Sequence, residues 1–172
     1  MELQDLRDFE YRCIQEEQPA CQAACPLHVD VRKFMAQARA GDFAAARKTL
    51  DRTLPLPTVL GRVCDHPCQT HCVRVPIDAA LAMGSLERAV ISATGPAAKP
   101  LSMPGKGKRA AVMGGDVSAL TVAWDLGKKG YAVDMYFPGD APGGHLRELL
   151  PDTLPPAALD AEIEIMGRLN VT

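Results

Sequence analysis

The chain has 172 residues, enough for one ordinary domain or two small ones, and at 47% hydrophobic and 23% charged it can bury a core. A formal net charge of −2 and an aromatic content of 5% argue against a nucleic-acid partner, which needs a basic surface and stacking rings. The start, Met1-Glu2-Leu3-Gln4-Asp5, has no apolar targeting core, and no run approaches the roughly 18 apolar residues of a membrane helix. A cytoplasmic protein without membrane insertion is expected.

The six cysteines, Cys13, Cys21, Cys25, Cys64, Cys68 and Cys72, all lie in the first 72 residues. Between the two groups the pattern is helical. Val29, Val31, Phe34, Met35 and Ala38 form an apolar stripe, with Asp30 placed to cap it and Gly41 to end it. Asp42 is placed to cap a second helix over 43–50, completing an αα-hairpin. Pro55 and Pro57 are expected to break regular structure. A further helix is expected over 83–91, with Leu86, Ala89 and Val90 on one face.

Residues 94–107 are rich in Pro and Gly and read as a linker. The period then changes. A buried strand over 109–113, a turn at Gly114 and Gly115, a helix over 117–129 and a strand over 131–137 make a βαβ unit. Residues 138–156 read mostly as loop. A last helix fits 157–169, with Leu159, Ile163, Ile165 and Met166 as its apolar positions, and Val171 begins a third strand. The expected fold is a mainly α-helical, cysteine-bearing domain (1–95), a linker (96–108) and a partial α/β, Rossmann-like βαβ segment (109–172).

Thiolates suit iron bonded to sulfide, because both partners are soft. Cys13-x7-Cys21-x3-Cys25-Pro26 and Cys64-x3-Cys68-x3-Cys72 are two groups close enough for loops to wrap a cluster. Three disulfides would contradict a reducing compartment. A structural zinc site could draw on His66 and His71, but zinc sites favour two-residue gaps between cysteines, and the chain has no Cys-x2-Cys. His28, His66, His71 and His145 read as surface residues or as neighbours of ligands. Arg62, Arg74 and Arg88 are candidate hydrogen-bond donors to cluster sulfur.

The segment Cys21-Gln22-Ala23-Ala24-Cys25-Pro26-Leu27-His28-Val29-Asp30-Val31, with Gly41-Asp42-Phe43, Gly61-Arg62-Val63-Cys64, His66-Pro67-Cys68, Cys72-Val73-Arg74 and Leu86-Glu87-Arg88, resembles the amino-terminal iron–sulfur domain shared by dihydropyrimidine dehydrogenase and the small subunit of bacterial glutamate synthase. The resemblance covers about residues 10–92. It implies a helical, α-helical ferredoxin-like domain with two [4Fe–4S] clusters. One would take Cys25, Cys64, Cys68 and Glu87. The other would take Cys13, Cys21, Cys72 and a fourth ligand, where the family's cysteine falls on Glu16.

The family continues into an FAD-binding fold, and Gly114, Gly115, Gly143 and Gly144 match its cofactor-binding glycines. The fingerprint is altered. Asp116 stands where backbone should approach pyrophosphate, and Phe137 where an acidic residue should hold ribose. FAD is therefore not expected in this chain alone. The implied function is an iron–sulfur electron-transfer subunit of a larger oxidoreductase, non-catalytic itself, whose partners are other redox subunits, a flavoprotein or an iron–sulfur protein. Two other readings stand beside it: a flavin-bearing reductase fragment completed by a partner, and a structural or zinc-binding assembly module.

Overall fold

The computed structural model describes residues 3–5, 7–8, 18–95, 100, 102–149 and 151–172. The chain forms two compact units. They are not two unbroken stretches: residues 55–63 cluster with 95–172, while 64–94 return to the first unit.

The first unit is helical. A single turn, α1 (Ala20–Ala23), precedes α2 (Val31–Arg39) and α3 (Phe43–Thr53). Asp30 and Asp42 cap these two helices, accepting from Lys33 N at 3.0 Å and Ala45 N at 2.9 Å. Each cap satisfies an N–H that has no partner inside its helix. Gly41 takes φ +76° in the link, as the sharp turn between the helices requires. Phe34, Ala46 and Leu50 are fully buried, and α3 packs on both α2 and α6 (Met83–Thr94). The buried side of α6 carries Met83, Glu87, Val90 and Ile91. Of the expected face of Leu86, Ala89 and Val90, Val90 is buried here, while Leu86 is half-buried and Ala89 exposed; all three line one cleft.

In the second unit, β1 (Arg109–Met113) and β2 (Ala132–Tyr136) are parallel, with Val112 opposite Met135. Helix α7 (Val117–Lys128) connects them. Val171 bridges Val133 in parallel, so a third strand begins beside β2. A short 3-10 turn (Gly144–Glu148) and α8 (Pro156–Gly167) complete the unit. Its core joins Val112, Val133, Leu120, Trp124, Leu159 and Met166.

The opposite sheet face is open: Met113 is 78% and Tyr136 56% exposed. Parallel sheets are ordinarily covered on both faces. Part of the expected linker belongs to this unit, since Met103 N–H donates to Lys128 O and Lys106 N–H to Gly130 O.

One element departs from the sequence expectation. Pro57 does not break structure; it starts α4 (Pro57–Val63). Proline suits the first helical position, where its missing N–H costs nothing. Leu56 and Val59 are fully buried in the α/β core, each worth about 2 kcal/mol of apolar burial. A second short helix, α5 (Pro67–Thr70), follows.

Candidate metal centre

Two single-turn elements and one long helix build the site. α1 presents Cys21, and the turn after it presents Cys25, whose N–H donates to Gln22 O at 3.2 Å. α1 packs on α5, which carries Cys68, and the next turn presents Cys72. Before α5, His66 takes a left-handed backbone, φ +51°. This bend aims its N–H at Cys64 Sγ, 3.3 Å away. Helix α6 brings Glu87 in from the other side, only 8% exposed.

Cys25, Cys64, Cys68 and Glu87 are close enough to repel one another as anions. Burial pushes the Cys68 thiol up to about 11, with Glu87, Cys25 and Cys64 adding to the effect. Burial likewise raises Cys64, helped by Glu87, Cys25 and Asp65 and opposed by the His66 N–H. Burial also carries the Glu87 carboxyl up to about 7, although Arg88 pulls it down. Partly covered and able to bear negative charge, these four groups could together hold a cationic centre. Three thiolates with one carboxylate suit iron–sulfide better than a hard ion. The residues therefore fit a cluster. None of the five described cysteines is disulfide-bonded. Among the described residues, no three of His, Cys, Asp or Glu are gathered as for a single metal ion.

Cys21 and Cys72 line one cleft with Gln18, Arg74 and Leu86. Cys13 and Glu16 lie outside the described residues. Arg74 is engaged by Asp78, to which its Nε donates at 3.2 Å, and Arg88 Nη2 donates to Ser85 Oγ at 3.3 Å. The other histidines are held locally: His71 by Pro67 O, His28 by Gln18 and His145 by Glu148.

Sequence reasoning passed over Gly84. A Cβ there would lie 2.4 Å from His66 Nε2, so only glycine leaves room for the ring. The ring stands 3.7 Å from Glu87 Oε2, and Gly84 N–H donates to Gln69 Oε1 at 3.0 Å. A glycine inside a helical pattern was the available signal.

The glycine turn of the second unit is closed by the protein itself. Asp116 caps α7, its Oδ1 accepting from Ala119 N at 2.9 Å. A phosphate at this helix end would need the same N–H groups. Gly143 N–H donates to Gly115 O at 2.6 Å. A Cβ on Gly144 would sit 3.3 Å from Asp116, and one on Gly115 2.9 Å from Phe137. A Cβ on Gly114 would meet Ala119, and one on Gly143 would meet Arg147 and Leu159, so protein atoms already crowd all four glycines. These residues do not fit a bound dinucleotide.

The helical site is that of an iron–sulfur protein. Residues 4–97 match the family described as dihydropyrimidine dehydrogenase domain II, 4Fe-4S cluster, and the chain belongs to it. It is 31% identical to the NAD-dependent dihydropyrimidine dehydrogenase subunit PreT of Escherichia coli (strain K12), over 94% of this chain and 40% of that one. It is 28% identical to the NADPH-Fe(3+) oxidoreductase subunit beta of Geobacter sulfurreducens, over 94% of this chain and 25% of that one. It is 29% identical to the NADP(+)-dependent formate dehydrogenase subunit beta of Moorella thermoacetica, over 88% and 25% respectively. The chain thus spans well under half the length of these relatives. No helix among the described residues is long and apolar enough to cross a membrane.

Proposed function

We propose that this chain is a cytoplasmic electron-transfer subunit with two [4Fe–4S] clusters in an α-helical ferredoxin-like domain, relaying single electrons to or from another redox subunit. The observation that carries this reading is the convergence of Cys25, Cys64, Cys68 and Glu87 under partial cover. These four residues hold the first cluster. Cys13, Glu16, Cys21 and Cys72 hold the second, and the cleft shared by Cys21 and Cys72 supports that pairing. A bound cluster supplies one-electron storage, at a potential that ligand type, hydrogen bonds and solvent access tune.

The chain's own residues supply the rest. Burial of Cys68 and Glu87 limits solvent at the first cluster, and the His66 N–H donates to the Cys64 sulfur. The partner is a flavoprotein or another iron–sulfur subunit, in line with relatives that are themselves named as oxidoreductase subunits. The second unit serves as a scaffold: Gly114, Gly115, Gly143 and Gly144 shape its turn around Asp116 and do not hold flavin.

The test is metal and sulfide analysis of protein prepared without oxygen. About eight irons and about eight sulfides per chain are expected; zinc without sulfide would end the redox reading. Glu16→Cys should keep both clusters and change the spectrum of one. An identical spectrum and iron content would remove Glu16 from the ligand set.

A further inference from the structure

We propose that His66 is a positioning residue for Glu87: its imidazole donates from Nε2 to the Glu87 carboxylate and so holds that carboxylate among Cys25, Cys64 and Cys68. The inference rests on the ligand assignment above, deepens it, and lies wholly within the helical unit. His66 Nε2 is buried and has no hydrogen-bond partner among the described residues. A buried polar atom without a partner is costly, and each one calls for a physical reason. Its neighbour is Glu87 Oε2, at 3.7 Å. Closing that gap to a hydrogen bond of roughly 2.9 Å takes a movement of about 1 Å.

The surroundings fix the ring in this place. At φ +51° the backbone of His66 is left-handed, a conformation that histidine adopts more readily than most residues. The same bend directs the His66 N–H to Cys64 Sγ at 3.3 Å. Against the ring lies Gly84 of α6, where a Cβ would come within 2.4 Å of Nε2. Gly84 N–H donates to Gln69 Oε1 at 3.0 Å, which ties the start of α6 to α5. Gly84 and Glu87 stand one turn apart on the buried side of α6, so a ring resting on the first reaches the second. One residue thus addresses two ligands: its backbone bonds the Cys64 sulfur, and its ring is placed for the Glu87 carboxylate. Glutamate has more rotatable bonds than cysteine, so ordering its head group costs more entropy, and a fixed donor offsets that cost. The left-handed backbone, the bare glycine and the unbonded nitrogen share one explanation: the space is kept for an imidazole that points at a carboxylate.

The experiment uses the full chain prepared without oxygen. It measures iron loss to a chelator and follows a redox titration by electron paramagnetic resonance. Circular dichroism reports the helices, and the emission of Trp124, the sole tryptophan, reports the α/β unit. His66→Asn keeps a residue that accepts a left-handed backbone, while its shorter amide stops short of Glu87. It should lose iron about tenfold faster. It should also lower the midpoint potential of one cluster, because a carboxylate without its donor leaves more negative charge beside the added electron. The other potential should stay where it is. Glu87→Cys should alter the signal of that same cluster. Its sulfur lies too far from the ring to take the bond, so adding His66→Asn to Glu87→Cys should move the potential no further.

Wild-type potentials in His66→Asn with native dichroism overturn the proposal. An equal shift in the Glu87→Cys background does so too, since it would place the effect at Cys64. If His66→Asn loses native dichroism, Gly84→Ala, which keeps both residues and displaces the ring, is judged by the same criteria. Wild type without iron, or Glu87→Cys with unchanged signals, overturns the ligand assignment and this inference with it. An altered Glu87→Cys beside a silent His66→Asn overturns the inference alone.

Discussion

The ligand loops around Cys68 and the glycine turn around Asp116 both gather polar groups under partial cover, and they settle the resulting charge in opposite ways. Around Cys68, burial first, and then the charges of Glu87, Cys25 and Cys64, raise the thiol's proton affinity, while burial alone raises that of Glu87 against the pull of Arg88. At Asp116, the carboxylate is answered by the Ala119 N–H, and the neighbouring backbone closes on itself through Gly143 and Gly115. In the proposed reading, the first arrangement is completed by a cation. The second is complete as it stands. Motif resemblance touches both places, and the hydrogen bonds and charges set them apart: one leaves like charges uncompensated, the other is internally bonded.

Three substitutions test the contrast, in falling order of effect. On the proposed assignment Cys68 ligates one of two clusters, so Cys68→Ala should lower iron per chain by about half. The thermal transition of Trp124 should stay where it is. Full iron content would show that Cys68 is not a ligand.

Asp116→Ala should act the other way round. It should cost the α/β unit about 1 kcal/mol, the usual loss for a helix cap, with iron content unchanged. Denaturant unfolding followed by Trp124 emission measures the first quantity; a drop in iron would show that the turn does more than cap a helix.

The smallest effect concerns the open sheet face, where Arg109 Nη2 donates to Asp134 at 2.7 Å. The hydrogen bond from Arg109 holds the Asp134 carboxyl below the usual range. A depressed folded-state value means that the contribution is present above the ordinary carboxylate pKa, roughly 4, and is lost as pH falls through the lower folded value. Wild type and Arg109→Ala should therefore differ slightly in unfolding midpoint at neutral pH and converge on acidification. A gap that widens in acid would contradict the pairing. Because the pair is exposed, salt should also shrink the gap.

Local signals were legible in the sequence wherever a residue acts on its own neighbours. Asp30 and Asp42 cap the helices they were expected to cap, and the βαβ order follows from the change of period. Distant partners were not legible. α4 is seven residues long between prolines, and its reason for being helical lies in α8, about a hundred residues onward. Glu162 reads as a surface residue of an amphipathic helix, yet it takes the fully buried place that Ile163 was expected to share. The same holds for Glu87: it is buried on α6 beside Met83, Val90 and Ile91, which the pattern of the helix did not single out. The cysteine spacing announced the chemistry, while which side chains meet was decided by tertiary contacts that no local pattern encodes.

The path of the chain between the units has a consequence for the protein's history. It crosses from one unit to the other after Leu54, again after Val63 and again after Thr94. A module joined by a single linker can be lost, duplicated or exchanged by one genetic event. Here one cut after Thr94 would strand α4 without the core that buries Leu56 and Val59. Neither unit is a single unbroken stretch of chain, so no one cut separates them.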